Sequence, residues 1–281
     1  MLGIIIPDIT IGFFWKVVSG AEAAARQKGY TLLVADSTDN SGRQGELLSL
    51  MRSQNAEGVL LAVAAAPSPA SPMIRMVEAG IPVVCVDRIP DAIDVDSVSI
   101  GDRAAAQLGM DHLLANGYRR IAIVTGPLSL RNEQRRLLGC QASLERAAIA
   151  IPGSLIWNGT LRPEEVEVMC RDKLRQSAHL PEALFCTNGP TALGALRGVR
   201  AMGLRIPEDI GFVTFDELTE IDDVIRPGIT TIIQPAYAMG FRAAEILIER
   251  IAQGENRVTG PFAERLSATL KVRESSRKRA A

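Results

Sequence analysis

Short apolar runs alternate with longer amphipathic segments along nearly the whole chain. The runs are Leu2–Ile6, Thr31–Ala35, Gly58–Val63, Val83–Val86, Arg120–Thr125, Ser154–Trp157, Ala183–Cys186, Ile210–Phe215 and Ile229–Ile233. They are rich in Val, Ile and Leu on consecutive positions, which is how strands buried on both faces of a parallel sheet read. Between them, helical spacing predicts helices over Phe13–Lys28, Arg43–Ser53, Ser71–Glu78, Ala104–Ala115, Glu133–Ala148, Pro163–Arg175, Thr191–Met202 and Tyr237–Ala252. Arg265–Val272 reads as a closing strand. The rhythm breaks once, near Ile89–Ser97, and then restarts. The fold class expected is therefore α/β, with two doubly wound lobes of similar size. Pro67–Pro72 reads as a short surface loop rather than a domain boundary.

Composition narrows the function. The chain has 281 residues and is 47% hydrophobic but only 4% aromatic, which suits helices packed closely on sheets. A net charge of −1 argues against a chain that itself coats nucleic acid, because phosphate contacts need cations. The one basic cluster, Arg273, Arg277, Lys278 and Arg279, reads as a frayed, solvated tail. Cys85, Cys140, Cys170 and Cys186 form no C-x-x-C pair and have no His at ligand spacing, so no metal and no cofactor are expected, and a reducing cytoplasm is. Neither a membrane span nor a signal peptide is read. Phosphate-loop, dinucleotide and nucleophile-elbow motifs are lacking, and no catalytic triad can be assembled, so a non-enzyme is expected.

Ligands of open α/β sheets sit beyond the carboxyl ends of the strands. Those ends carry Asp8, Phe13 and Phe14, Asp36, Asp87-Arg88, Gly126, Gly159, Asn188-Gly189 and Asp216-Glu217. Carboxylates and amides bond hydroxyls, and aromatic faces cover the C–H side of a sugar. Each has a second reading: Asp36, Asp87 and Asp216 as turn or cap residues, Asn188 as an N-cap, Phe13 and Phe14 as core. Trp15 and Trp157 read as packing residues, His112 and His179 as structural or solvated.

Order and spacing of several motifs resemble the lactose-repressor/galactose-repressor family over essentially the whole chain. They are Ile5–Thr10 with Phe13-Phe14, Ala24–Tyr30, Val86-Asp87-Arg88, His112-Leu113-Leu114 followed by Gly117–Ala122 and Gly126-Pro127, Arg136-Leu137-Leu138-Gly139, Gly203–Ile210, Phe215-Asp216-Glu217, and Thr230-Thr231-Ile232 with Gln234-Pro235. The resemblance implies a periplasmic-binding-protein-like fold of type I, with lobes joined by three crossovers near Ile100, Ile232 and Gly260. The lobes would be 1–100 plus 233–260 and 101–232 plus 261–281. It implies an effector-sensing region of a repressor that binds a sugar, sugar phosphate or sugar acid between the lobes and changes operator affinity. A homodimer is implied, with operator DNA read by a helix-turn-helix domain not seen in this sequence. The ligand residues implied are Phe13, Phe14, Asn132, Arg136, Leu161, Asn188, Asp216 and Gln234. Departures from the family pattern are Gly189 for Asp, Gly101-Asp102 for Asp-Asn, and Thr214 for Gly. The main alternative is a periplasmic sugar-binding protein of a transporter; a third is an α/β enzyme.

Overall fold

The computed structural model describes residues 1–65, 71–90, 93–218, 226–254 and 260–278. In chain order the elements begin with β1 (Leu2–Ile6), α1 (Gly12–Gln27), β2 (Leu32–Asp36), α2 (Ser41–Ser53), β3 (Gly58–Leu61), α3 (Ser71–Glu78), β4 (Val83–Val86) and β5 (Asp96–Ile100). There follow α4 (Asp102–Ala115), β6 (Ile121–Thr125), α5 (Arg131–Arg146), β7 (Ile156–Asn158), α6 (Pro163–Gln176), β8 (Ala183–Cys186), α7 (Gly189–Ala201) and β9 (Gly211–Phe215). The last are β10 (Thr230–Ile233), α8 (Ala236–Gln253), β11 (Ala263–Leu266) and β12 (Thr269–Lys271). Four positions of the expected surface loop, 67–70, lie outside the described residues, and Ser71 opens α3.

The chain divides into two compact units, Met1–Ile100 with Pro235–Leu266, and Gly101–Gln234 with Ser267–Ala281. The sheet of the first runs β11-β5-β4-β3-β1-β2, and that of the second β12-β10-β9-β8-β6-β7. All ladders are parallel except β10 with β12. Each sheet thus winds outward in two directions, reversing between β1 and β3 in one unit and between β6 and β8 in the other. Crevices for ligands open at such reversals, beyond the carboxyl strand ends.

The last boundary falls after Leu266 and not near Gly260. The expected single strand Arg265–Val272 is two short strands, of which β11 continues the first unit's sheet beside β5 and β12 closes the second beside β10. The expected break at Ile89–Ser97 is also corrected, because it overlaps β5. Asp96, Ser97 and Ser99 made that strand look like a linker, yet all three are buried. Asp96 is tolerated there because Arg250 of α8 meets both its oxygens, at 2.8 and 2.9 Å, and the Phe262 N–H donates to it at 2.7 Å. β2, an edge strand, departs from the doubly buried pattern and leaves Leu33 and Val34 partly exposed.

In the first unit α1 and α8 cross very closely. A Cβ at Gly20 would run into the Tyr237 carbonyl, and one at Gly240 into the Val17 carbonyl, so each helix needs its glycine for the other's backbone. The core beneath the second face of this sheet gathers Ile5, Leu48, Met51, Val59, Leu61 and Cys85. In the second unit Val124, Trp157, Val166, Leu184, Phe212 and Val199 do the same. Trp157 is packed as expected, its indole N–H bonded to the Ser154 carbonyl at 2.8 Å, but Trp15 is 55% exposed. All four cysteines are buried thiols, and burial pushes Cys85 and Cys170 up to about 12. Such thiols are inert space-fillers.

The basic tail is docked rather than frayed. Ser275 and Ser276 are fully buried, Arg273 donates to the Ile229 carbonyl at 2.8 Å, and Ser276 links Thr230 and His112 at 2.6 and 2.7 Å. Arg279 lies outside the described residues.

Candidate functional site

The strand ends of the second unit bring six of the eight candidate residues into one region of the sequence's fold, and the geometry is centred on Arg136. This residue sits on the buried face of α5 and is 2% exposed. Its Nε donates to Asp102 at 2.9 Å and one terminal nitrogen donates to the Thr187 carbonyl at 2.8 Å. The other reaches Gln234 at 3.4 Å, and the guanidinium carbon lies 4.3 Å from the centre of the Phe215 ring. A planar fork stacked on an aromatic and bonded on three sides has little rotational freedom left.

Gly139 explains why arginine and glycine come together at this spacing. One helical turn beyond Arg136, a Cβ there would run into the Arg103 carbonyl at the start of α4. The glycine lets α4 approach, and α4 carries Asp102 to the guanidinium. Burial pushes the Asp102 carboxyl above its usual range, against the pull of Arg136.

Gln234, at the end of β10, donates to Asp216 at 2.8 Å. Asp216 follows β9 with φ of 62°, a left-handed conformation that Asp adopts more readily than most side chains. Asn188 realises its N-cap reading: its carbonyl oxygen accepts from the Thr191 N–H at 2.8 Å, while its amide donates to Glu133 at 3.0 Å. Asn132 is also buried and accepts from the Glu133 N–H at 3.0 Å. Leu161 is half-buried beside Gly126, where an added Cβ would lie 3.1 Å from it and 2.8 Å from the Asn188 amide.

Three members of this cluster were not singled out from the sequence. Glu133 is 1% exposed and accepts from the Gly126 N–H at 2.8 Å, from the Thr187 hydroxyl and from Asn188. It stands at the β6–β8 reversal and lies 3.8 Å from Arg136. Its spacing, one turn before Arg136 on the same helix face, was the available signal. Asp102 stood out only as a departure from the family pattern, and Thr187 not at all.

Phe13 and Phe14 belong to the first unit. They open α1, 7% and 3% exposed, with rings edge to face at 5.1 Å, which is the core arrangement. Arg88 lies over Phe14 at 5.4 Å and pairs with Asp39 at 2.7 Å. Asp36 orders a turn, accepting from the Ile9 and Thr38 N–H groups at 3.1 and 2.6 Å. Asp87 repeats the φ of 62° seen at Asp216. Among the described residues no group of three His, Cys, Asp or Glu could hold a metal ion, and no helix is long and apolar enough to cross a membrane.

Residues 110–276 match the family model of the periplasmic binding protein-like domain. The chain is 30% identical over 256 residues to the HTH-type transcriptional repressor PurR of Escherichia coli O1:K1, covering 89% of this chain and 73% of that protein. It is 29% identical over 255 residues to the repressor of the same name from Vibrio vulnificus, covering 91% and 75%. Among solved structures, the transcriptional regulator CelR–cellobiose complex superimposes with a TM-score of 0.86 at 26% identity, over 98% of this chain and 84% of that one. These relatives are transcription regulators, which favours the repressor reading over a transporter's binding protein. With a matching fold and sequence agreement along most of its length, the chain belongs to the lactose-repressor/galactose-repressor family as a periplasmic-binding-protein-like effector-binding region.

Proposed function

We propose that this region senses a neutral, polyhydroxylated small molecule of the sugar class and passes the binding event to operator DNA. The observation that carries the ligand class is the charge balance around Arg136. Its single positive charge already faces Asp102 at 2.9 Å and Glu133 at 3.8 Å, and Asp216 adds a third carboxylate through Gln234. A sugar phosphate or sugar acid would bring its charge to a surface where three carboxylates stand against Arg136 and, acting on Asp102 as well, Arg135. Hydroxyls fit better, since each both donates to a carboxylate and accepts from a guanidinium or amide. The complex of CelR with cellobiose supports a sugar ligand.

The proposed contacts in the second unit are Arg136, Asp216, Asn188, Asn132, Gln234 and Leu161; Phe13 and Phe14, at the strand ends of the first unit, are proposed as ligand residues of that unit. Effector binding shifts a conformational balance only by its differential affinity for the two states. The reading goes with a homodimer in the cytoplasm, with operator DNA contacted by the helix-turn-helix part for which the repressor relatives are named.

A thermal-shift screen followed by calorimetry tests the reading, using neutral mono- and disaccharides, sugar phosphates, sugar acids and purines. A neutral sugar should raise the melting temperature, since at a hundredfold excess over Kd a ligand adds about 2.7 kcal/mol. Asp216→Ala should weaken that sugar at least tenfold. Binding confined to sugar phosphates, sugar acids or purines would overturn the ligand class, and unchanged affinity in Asp216→Ala would overturn the site. Gel shifts with the full-length regulator and its operator then read whether the sugar releases or strengthens DNA binding.

A further inference from the structure

The opposite end of the second unit's sheet carries a cavity that the effector site does not use. It has a volume of about 1050 Å³ and lies where the chain enters β9 and β10, at the amino ends of those strands. Asp216 and Gln234 lie at their carboxyl ends, a strand length or roughly 15 Å away. The last turn of α7, the turn at 204–208, the segment 226–229 and the docked tail surround it.

Two features of the lining belong together. The floor is apolar: Val199 and Ile229 are 1% and 3% exposed, and Leu204, Ile206 and Leu196 flank them. The rim is cationic, with Arg200, Arg205, Arg226, Arg277 and Lys278 against Glu208 and Glu274. Arg205 turns one edge to Asp209, at 2.9 Å from both Nε and a terminal nitrogen, and Lys278 reaches Glu182 at 3.0 Å. Arg226 is engaged in an interaction of its own, so the exposed Arg200 and Arg277 are the cations open to a ligand. Arg200 makes no ion pair among the described residues.

The tail's contribution is held in place rather than loosely charged. The Ser275 N–H donates to the Gly228 carbonyl at 3.0 Å, its hydroxyl donates to the Phe212 carbonyl at 2.6 Å, and the Thr230 N–H donates back to that hydroxyl at 2.8 Å. Glu274, Arg277 and Lys278 are thereby carried on a backbone fixed to β9 and β10.

We propose that this cavity is a second ligand site, for a small organic phosphate with an apolar body. Arginine forks bind the phosphate oxygens, and the half-buried Leu196, Leu204 and Ile206, backed by Val199 and Ile229, take the body out of water. The volume is at the upper end of what small-molecule pockets offer.

The test titrates the purified chain with adenosine monophosphate, inorganic phosphate and adenosine by calorimetry. Adenosine monophosphate should bind saturably, at least tenfold tighter than phosphate or adenosine alone, and more weakly as salt rises. The exposed double change Arg200→Ser with Arg277→Ser should weaken it at least tenfold, while Asp216→Ala leaves it unchanged. No saturable binding at millimolar concentration would overturn the proposal. So would equal binding of inorganic phosphate (an adventitious ion only), loss in Asp216→Ala, or insensitivity to the arginine pair. Sugar binding is read separately in the same variants, so failure here leaves the effector reading untouched.

Discussion

The two units use the same device at the carboxyl ends of their strands, at different depths. In the first, Arg88 lies over Phe14 and pairs with Asp39, which is 26% exposed. In the second, Arg136 lies over Phe215 and pairs with Asp102, which is 5% exposed. Each unit also places an aspartate with φ of 62° after the equivalent strand, Asp87 and Asp216. An arginine whose partner sees water gains little from pairing and loses little without it. One buried among carboxylates depends on every partner, because losing one leaves an uncompensated charge in a poor solvent. The deeper pair is therefore the one whose disruption carries the larger energetic consequence.

Removing a partner should show the contrast most strongly. Asp102→Ala takes the 2.9 Å carboxylate partner from the buried Arg136 and is expected to destabilise the second unit by about 3–5 kcal/mol in urea unfolding. Arg88→Ala, by the same assay, should cost no more than about 1 kcal/mol beyond its lost packing. Equal losses at the two sites would mean that depth does not govern the difference.

A geometric change comes next. Gly139→Ala puts a Cβ into the Arg103 carbonyl, so α4 must move and take Asp102 away from Arg136. A loss of about 1–3 kcal/mol is expected, together with weaker sugar binding. Wild-type sugar affinity in this variant would show that the approach of α4 is not what sets the guanidinium.

Two pH effects of opposite sign sharpen the comparison further. Asp102 is held above its usual range, so the stability it contributes is fully present below 3.8 and is lost as pH rises through its folded value. Asp102→Asn should remove that limb of the stability–pH curve. Asp209, exposed and bonded to Arg205, is held down to about 2, so its contribution is present above 3.8 and lost as pH falls towards 2. Asp209→Asn should flatten the acid limb slightly, the smallest effect of the set. A steeper acid limb in that variant would contradict the pairing with Arg205.

The alternation of apolar and amphipathic segments was enough to locate nearly every strand and helix, because parallel strands covered on both faces must be apolar throughout. It failed at β5, where Asp96, Ser97 and Ser99 are buried in the sheet, since the arginine that compensates Asp96 lies far along the chain on α8. It failed again at the tail, where charge suggested solvent but Ser275 and Ser276 anchor the backbone. At the site, family motifs pointed to Arg136, Asp216 and Asn188. Thr187 carries no local signal and Glu133 only its spacing to Arg136, because their importance lies in bonds to Gly126, Asn188 and each other across the β6–β8 reversal.

The amino-acid sequence by itself determined the α/β class, the succession of elements and the family, because these follow from local periodicity and from the order of motifs along one chain. Only the tertiary structure decided which charges meet. Arg136 is joined to Asp102, Arg250 to Asp96 and Arg273 to the backbone of Ile229, and the partners in each pair are far apart in sequence. Burying an arginine is costly unless a specific partner arrives in a specific orientation, and that depends on helix packing and strand order, which no local pattern encodes.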